Sequence, residues 1–551
     1  MGGTRRRDVH RLYDVLGAAA EDAPEAPALS VDGTTWTFRE LRARTDALSG
    51  HLSARCSPGA RVALLAHNRL EYVAAYYGVP REGRILVPLN QRLHPREWAD
   101  QVVRCGAELV IGEPELLERL AREGGLPAGR PPLVDVADLP WDGPAPSQED
   151  DRDPAEVAWL MFTSGTTGRP KGVRLTHRSL LAGMAVTASG RPVLPDDVFC
   201  TPFPLCHVAG YQVVLHHLFR RHAVVLRRFG PAALVDAARR HGVTNLSLAP
   251  TMLEDLLAHL DGDPAGLEAL RATVRVIAYG SAPMPVPLLR RADGVLGCDL
   301  NQGYGMTELS GNATFLSPAD HRAAVAGRPE LAASAGRPGD GAEVAVIGDD
   351  GSPVPPGALG EVVVRGAQVA DGYWDDPEAT AEAFAGGWFR TGDAGRVDGD
   401  GYLYLADRIK DVIITGGENV SSREVEDVLR TVPGVGEVAV VGLPDPRWGQ
   451  SVCAVVVPDG VPPRVEDLTA ACRARLAGFK TPRRVEFVTA LPRTGTGKVR
   501  KAALRAELSG RAELSGRAEL SGSAELSGSA ELSDRAESPD RTELTDCPEI
   551  P

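Results

Sequence analysis

At 551 residues the chain is too long for one compact core, while 43% hydrophobic and 24% charged residues are ordinary values for a folded globular protein. A net charge of −14 argues against general nucleic-acid binding, which depends on Lys and Arg neutralising phosphates, so any polyanion must bind at a local site. No run of about 18 apolar residues offers a membrane-spanning helix, no signal peptide opens the chain, and eight scattered cysteines lack a C-x-x-C pair, so a cytoplasmic protein without disulfides or structural zinc is expected.

From Thr34 to about Gly112, helical patterns such as Thr37 to Leu52 alternate with short apolar runs such as 61–65 and 85–88, the mark of a layered α/β fold. A Pro-, Gly- and acid-rich loop follows around Pro140 to Pro154, and Val157 to Phe162 is then a strand. A second α/β run reaches from about Ser179 to Leu300. Strands at 343–347 and 360–365, bounded by Gly and Pro turns, predict a smaller β-rich subdomain. Past Lys410 the pattern restarts with a helix over 422–429, strands over 438–441 and 452–457, and a helix over 465–476, enough for a small α+β domain. The expected division is therefore 1–409, 410–504 and a tail of 505–551. In that tail Arg-Ala-Glu-Leu-Ser-Gly recurs with a six-residue step, which spreads its leucines over three helix faces, so a disordered segment is expected.

The strongest chemical signal is Met161-Phe-Thr-Ser-Gly-Thr-Thr-Gly-Arg-Pro-Lys-Gly-Val173, directly after a strand. A helix is excluded there, since each Gly costs about 1 kcal/mol and Pro about 3 in a helix interior. In a loop, small residues let backbone N–H groups approach phosphate oxygens, the hydroxyls of Ser164, Thr166 and Thr167 add donors, and Lys171 supplies a mobile positive charge. It is a phosphate cradle, but not of Walker type, because Pro170 precedes the Lys and Gly172 follows it. Only five of the 60 basic residues are lysine, namely Lys171, Lys410, Lys480, Lys498 and Lys501. An ammonium kept where arginine is otherwise used suggests a site that a planar guanidinium would not serve.

The 161–173 loop resembles that of the adenylate-forming superfamily of acyl-CoA synthetases, luciferases and peptide-synthetase adenylation domains, and the family's remaining motifs occur in order. The likeness covers nearly all of residues 10 to 504 and is nearest to actinobacterial fatty-acyl-CoA synthetases, through 407–420 and 442–449. It implies a large N-terminal domain with a small mobile C-terminal one, and an ATP-dependent, AMP-forming acid–thiol ligase using Mg²⁺ and coenzyme A. On the nucleotide it implies Thr163, Ser164, Gly165, Thr166, Thr167, Gly168 and Lys171 from the loop, and Gly280, Ser281 and Ala282 beside the adenine. Asn301-Gln-Gly-Tyr-Gly-Met-Thr-Glu308 would supply Gln302, Gly303, Tyr304 stacked on the base, Thr307 at the α-phosphate and Glu308 on Mg²⁺. Asp393 would bind the ribose with Arg408 as its partner, Lys410 would be the hinge, and Lys498 the C-terminal catalytic lysine. Gly416, Gly417 and Glu418 would line the coenzyme A path, and His207, Ala209 and Gly305 the acyl pocket.

The stretch between Phe203 and Arg220 carries no acid to hold a substrate ammonium, which disfavours amino acids. Ala209 stands where phenolic-acid relatives commonly have Tyr, so the resemblance implies an open apolar pocket and a fatty or alicyclic acid. Alternatives are an aryl acid, or a carrier-protein phosphopantetheine in place of coenzyme A. Either a monomer or a homodimer is compatible with the sequence.

Overall fold

The computed structural model describes residues 9–146, 153–163, 170–280, 284–348, 350–408, 413–415, 418–445, 448–476, 478–493 and 498–509. The repeat tail past Ser509, the hinge Lys410 and the loop 164–169 therefore lie outside the described residues.

The alternation read from 34–112 becomes a six-stranded sheet. Its spatial order is Leu133–Asp135, Leu109–Gly112, Arg61–Leu65, Ile85–Pro88, Val157–Thr163 and Lys171–Thr176. The first five strands run parallel and the last is antiparallel to its neighbour. Parallel strands covered on both faces read as continuous apolar runs, and Val62, Ala63, Leu64 and Leu65 are accordingly all buried. The expected 37–52 helix is Phe38–Ser53, opened by a capping box in which Thr37 and Glu40 exchange side-chain to backbone hydrogen bonds of 2.8 and 3.2 Å.

The second α/β run forms a nine-stranded mixed sheet, within which Asn245–Leu248, Val276–Gly280 and Asp299–Met306 lie parallel and Gly311–Leu316 returns antiparallel. The strands expected at 343–347 and 360–365 are present, joined by Phe389–Val397 and Leu403–Arg408 in a four-stranded antiparallel sheet. Past residue 410, the two strands expected at 438–441 and 452–457 are longer, Val435–Asp445 and Gly449–Pro458, paired as one antiparallel ladder. Counting only their apolar centres cut them short, because Gly436 and Glu437 at one end and Pro444 at the other continue the extended backbone. Helices Ser422–Leu429 and Val465–Arg473 accompany this sheet.

One aromatic stack relates the first two sheets. Trp159, fully buried on Val157–Thr163, has ring centroids 4.6 Å from Tyr76 and 5.1 Å from Tyr211, and its indole N–H donates to the Tyr76 carbonyl at 3.1 Å. Tyr211 sits on the helix Val208–Phe219, so burial of three large rings fixes that helix against the strand that leads into the phosphate loop.

Candidate active site

Thr163 and Lys171 are register partners at the mouth of an antiparallel strand pair, so both ends of the 164–169 loop are pinned side by side. Ser164, Gly165, Thr166, Thr167 and Gly168 lie outside the described residues. A segment remote in sequence, Asp371–Trp374, runs along the free edge of the Lys171–Thr176 strand. Arg174 N–H donates to the Gly372 carbonyl at 2.9 Å and Trp374 N–H to the Gly172 carbonyl at 2.7 Å, while the Arg174 guanidinium pairs with Asp371 at 2.5 Å. This pairing carries the Tyr373 ring over Lys171, whose Nζ lies 4.9 Å from the ring centroid.

Thr307 and Glu308 follow the strand Asp299–Met306, in a single 3₁₀ turn. Glu308 Oε1 accepts from the Tyr373 hydroxyl at 3.2 Å and from Thr163 Oγ1 at 3.4 Å, and the Glu308 carbonyl accepts from Ala370 N–H at 2.8 Å. Thus Lys171, Thr163, Glu308 and Tyr373 converge from three distant parts of the chain. A carboxylate with hydroxyls beside it is the all-oxygen donor set that suits a hard cation such as Mg²⁺.

Along the strand Asp299–Met306, Tyr304 donates its hydroxyl hydrogen to Asp393 Oδ2 at 2.6 Å, which joins two residues assigned to base and ribose. Asp393 is buried, its backbone N–H donates to Thr391 Oγ1, and its register partner on the adjacent strand is Arg408, whose side chain is not among those described. Gly280 and Gly303 are register partners, as are Gln302 and Tyr279 on the same strand pair. A Cβ on Gly280 would stand 2.6 Å from the Gly303 carbonyl, and one on Gly305 only 2.0 Å from that of Gly311. Close backbone approach accounts for glycine at both positions whatever binds there. Ser281 and Ala282 are outside the described residues.

His207 is the N-cap of the helix Val208–Phe219, and its Nδ1 accepts from Ala209 N–H at 3.2 Å. Burial pushes its pKa down to about 4, with the positive charges of Lys498 and Arg92 adding to the effect. The imidazole is therefore neutral at pH 7, with Nδ1 committed as an acceptor and the proton on Nε2. Lys498, an exposed residue 291 positions later in the chain, is thus one of the two cations whose charge acts on His207. Gly416 and Gly417 are outside the described residues, and Glu418 begins a short strand, its side chain undescribed.

Sequence reading missed Tyr373, whose only signal was an aromatic residue after glycine in an acidic turn. It also missed Asn68, whose side chain donates to the Phe203 carbonyl at 2.8 Å and accepts from Leu205 N–H at 2.9 Å, holding the loop that leads to His207. Among the described residues there is no group of three or more His, Cys, Asp or Glu able to hold a metal ion, seven cysteines are free, and no helix is long and apolar enough to cross a membrane.

A layered α/β domain in which Thr163, Lys171, Glu308 and Tyr373 meet, followed by a small α+β domain, is the architecture of a nucleotide-dependent acid-activating class. Family models for the AMP-binding enzyme and the AMP-binding enzyme C-terminal domain match residues 16–374 and 424–498. A feruloyl-CoA synthase from Amycolatopsis sp is 40% identical over 88% of this chain and 96% of its own length. A fatty acid–[acyl-carrier-protein] ligase from Streptomyces coeruleorubidus is 36% identical over 91% of this chain and 96% of its own. The solved o-succinylbenzoate coenzyme A synthetase from Bacillus subtilis, in complex with ATP and magnesium ion, superposes with a TM-score of 0.79 at 31% identity, covering 89% of this chain and 98% of that one. The chain belongs to the AMP-binding enzyme family, the AMP-forming acid–thiol ligases.

Proposed function

We propose that this chain joins a carboxylic acid to coenzyme A in two steps, through an enzyme-bound acyl-AMP, with residues 1–409 binding the nucleotide and the acid and 410–504 moving between the steps. The observation that carries the reading is the convergence of Lys171, Tyr373, Thr163 and Glu308 at the loop mouth.

In the first step a carboxylate oxygen attacks the α-phosphorus of ATP and the bond to pyrophosphate breaks. Two anions must meet while more negative charge departs, so fixed positive charge is what lowers the barrier. Lys498 bridges the acid's carboxylate and the α-phosphate, Thr307 donates to that phosphate, and Lys171 with the 163–168 loop holds the departing phosphates. Glu308 would hold Mg²⁺ beside the Thr163 and Tyr373 hydroxyls, and the bound ion supplies further charge neutralisation. Tyr304 packs on the base between Gln302–Gly303 and Gly280–Ser281–Ala282, while Asp393 and Arg408 bind the ribose. His207, with its Nδ1 lone pair already engaged, serves as a donor toward the acyl carboxyl group and not as a base.

In the second step, rotation about Lys410 withdraws Lys498 and brings Gly416, Gly417 and Glu418 alongside the pantetheine arm. The thiol sulfur then attacks the acyl carbonyl, loses its proton, and AMP leaves. Ala209 leaves room beside the reacting carbon, which supports a fatty or alicyclic acid, while Gly305 borders the acyl pocket with its backbone packed on Gly311. The feruloyl-CoA relative favours an aryl acid as the second reading, and the carrier-protein relative keeps a phosphopantetheine acceptor in play. Free thiols suit a reducing compartment such as the cytoplasm.

The test is pyrophosphate release with ATP and Mg²⁺ across fatty, alicyclic, aryl and amino acids, each with no thiol, coenzyme A or a phosphopantetheinylated carrier protein. Acid-dependent release, driven to many turnovers by coenzyme A, is expected. ATP binding with no release for any acid would reject the ligase.

A further inference from the structure

Deeper along the helix that begins after His207 lies a buried polar pair that none of these roles uses. His216 stands seven residues past Ala209 on Val208–Phe219, so the two share one helix face and lie about 10 Å apart along the axis. His216 is 0% exposed, and among the described residues neither of its ring nitrogens has a hydrogen-bond partner. Arg191, which caps the end of the helix His177–Gly190, is the first of the cations whose charge acts on it. Arg191 Nη2 donates to Ser247 Oγ at 3.5 Å, whereas its Nε and Nη1 are buried without a partner. No carboxylate pairs with this guanidinium among the described residues. Burial lowers its pKa to about 10, which leaves it a cation at neutral pH, and burial with the Arg191 charge holds His216 down at about 3, a neutral imidazole.

The sheet places this pair relative to the reacting centre. Ser247, Ala278 and Asn301 are register partners in a row across three parallel strands, and two residues further along the same strands Gly280 pairs with Gly303. Side chains alternate along a strand, so Ser247, Ala278 and Asn301 share a face with Gly280 and Gly303 and lie about 7 Å from them. Leu246, Leu248, Ile277, Tyr279 and Leu300 occupy the opposite face, in a core cluster of their own. Asn301 Nδ2 donates to the Gly190 carbonyl at 3.1 Å, so the end of the helix that carries Arg191 closes over this row. One helix face thus runs from Ala209 to His216, and one sheet face from Gly280 and Gly303 to Ser247, to which Arg191 donates. Buried donors of this kind are ordinarily partnered, by protein, water or ligand.

We propose that Arg191 and His216 recognise an oxygen acceptor at the far end of the acid, roughly 10 Å from its reacting carboxylate, so that the substrate carries a carbonyl, phenolic or second carboxylate oxygen there. This narrows the acid class and rests on the acid–thiol ligase reading. A hydrocarbon end would leave a buried cation and imidazole unpaired, and sites built to bond an oxygen reject analogues that lack it far more strongly than apolar pockets reject an extra group.

The experiment measures kcat/KM for pyrophosphate release on pairs of acids matched in size: 3-phenylpropanoic and 3-(4-hydroxyphenyl)propanoic, 3-cyclohexylpropanoic and its 4-oxo analogue, octanoic and octanedioic. At least one oxygenated member is expected to exceed its plain partner about tenfold or more, and the pair that does so identifies the oxygen class. Arg191→Met and His216→Leu are each expected to lower that member about tenfold to hundredfold while changing the plain member less than about threefold. Plain acids preferred in every pair would overturn the proposal, as would folded variants that lose both members equally. Should both variants fail to fold, the wild-type preference together with Arg191→Lys, which keeps the charge but not the fork, decides it. Absence of release with all six acids and with the broader panel would count against the ligase reading itself.

Discussion

Replacing Tyr373 by Phe removes one hydroxyl and leaves the ring, which separates two jobs this residue does. The lost hydrogen bond, 3.2 Å to Glu308 Oε1, orients the carboxylate assigned to Mg²⁺. Tyr373 is 8% exposed, so water does not readily replace the hydroxyl. Hydrogen bonds to charged groups contribute about 1.5–3 kcal/mol, and outer-shell partners of metal ligands are worth about 10- to 100-fold in metal affinity. A separation of 3.2 Å is long for a hydroxyl on a carboxylate, which points to the lower end, about tenfold. The variant should therefore need about ten times more Mg²⁺ for half-maximal pyrophosphate release, at saturating ATP and acid. Its KM for ATP should move less than about threefold, because the ring still faces Lys171 at 4.9 Å. Tyr373→Leu removes the ring as well, and loss of about 0.5–1 kcal/mol of cation–π attraction adds a further twofold to fivefold rise in the ATP KM. Wild-type Mg²⁺ dependence in Tyr373→Phe would refute this account of Glu308, and equal ATP KM values in the two variants would refute that of Lys171.

Two other outcomes follow from the same geometry. Lys498→Ala should lower acid-dependent pyrophosphate release by about 10²- to 10³-fold yet spare thioester formation from supplied acyl-AMP, read by thioester absorbance; equal loss in both would contradict a lysine used only in the first step. His177 is 2% exposed, its Nδ1 accepts from Leu12 N–H at 3.3 Å, and burial followed by the Arg11 charge lowers its pKa to about 4. Between that value and about 6.5 the unfolded chain binds a proton that the folded one does not, so stability is full above about 6.5 and falls as pH drops toward 4. From pH 7.5 to 5 this group alone should cost roughly 2 kcal/mol, read from urea midpoints. His177→Asn, which keeps an acceptor but cannot titrate, should lose correspondingly less, and an unchanged pH dependence would clear His177 of the effect.

Motifs carried by local chemistry were legible in the sequence. The strands of the first sheet could be read because parallel strands buried on both faces are continuous apolar runs, and the loop between Thr163 and Lys171 was bounded because both of its ends lie in strands. What the sequence concealed were contacts between segments that share no periodicity. Tyr373 reaches Glu308 and Lys171 only because Asp371–Trp374 lies along the edge of the Lys171–Thr176 strand, an edge pairing that no local pattern announces. His216 reads in sequence as the apolar helix it occupies, between Leu215 and Leu218, and only its burial with both ring nitrogens unpartnered among the described residues marks it out.

The scarcity of lysine carries the reasoning one step further. Two of the five lie outside the family motifs, and both are tied to the helix Ser422–Leu429. Lys480 Nζ meets Glu424 Oε1 and Oε2 at 2.8 and 2.6 Å, and Lys501 Nζ meets Glu426 Oε1 at 2.8 Å as well as Ser422 Oγ. Glu426 Oε1 also accepts from Val440 N–H at 2.9 Å, so one carboxylate binds the helix, the central ladder of the small domain and the start of the last helix together. Lys501 is only three residues past Lys498. Its compact ammonium reaches a carboxylate and a hydroxyl at once, where a planar fork would need more room. Anchoring Lys501 therefore ties the residues just past Lys498 to the helix Ser422–Leu429. Lys501 and Glu426 are both largely buried, whereas Lys498, three residues earlier, is exposed, so the Lys501 pair is the fixed point from which Lys498 extends.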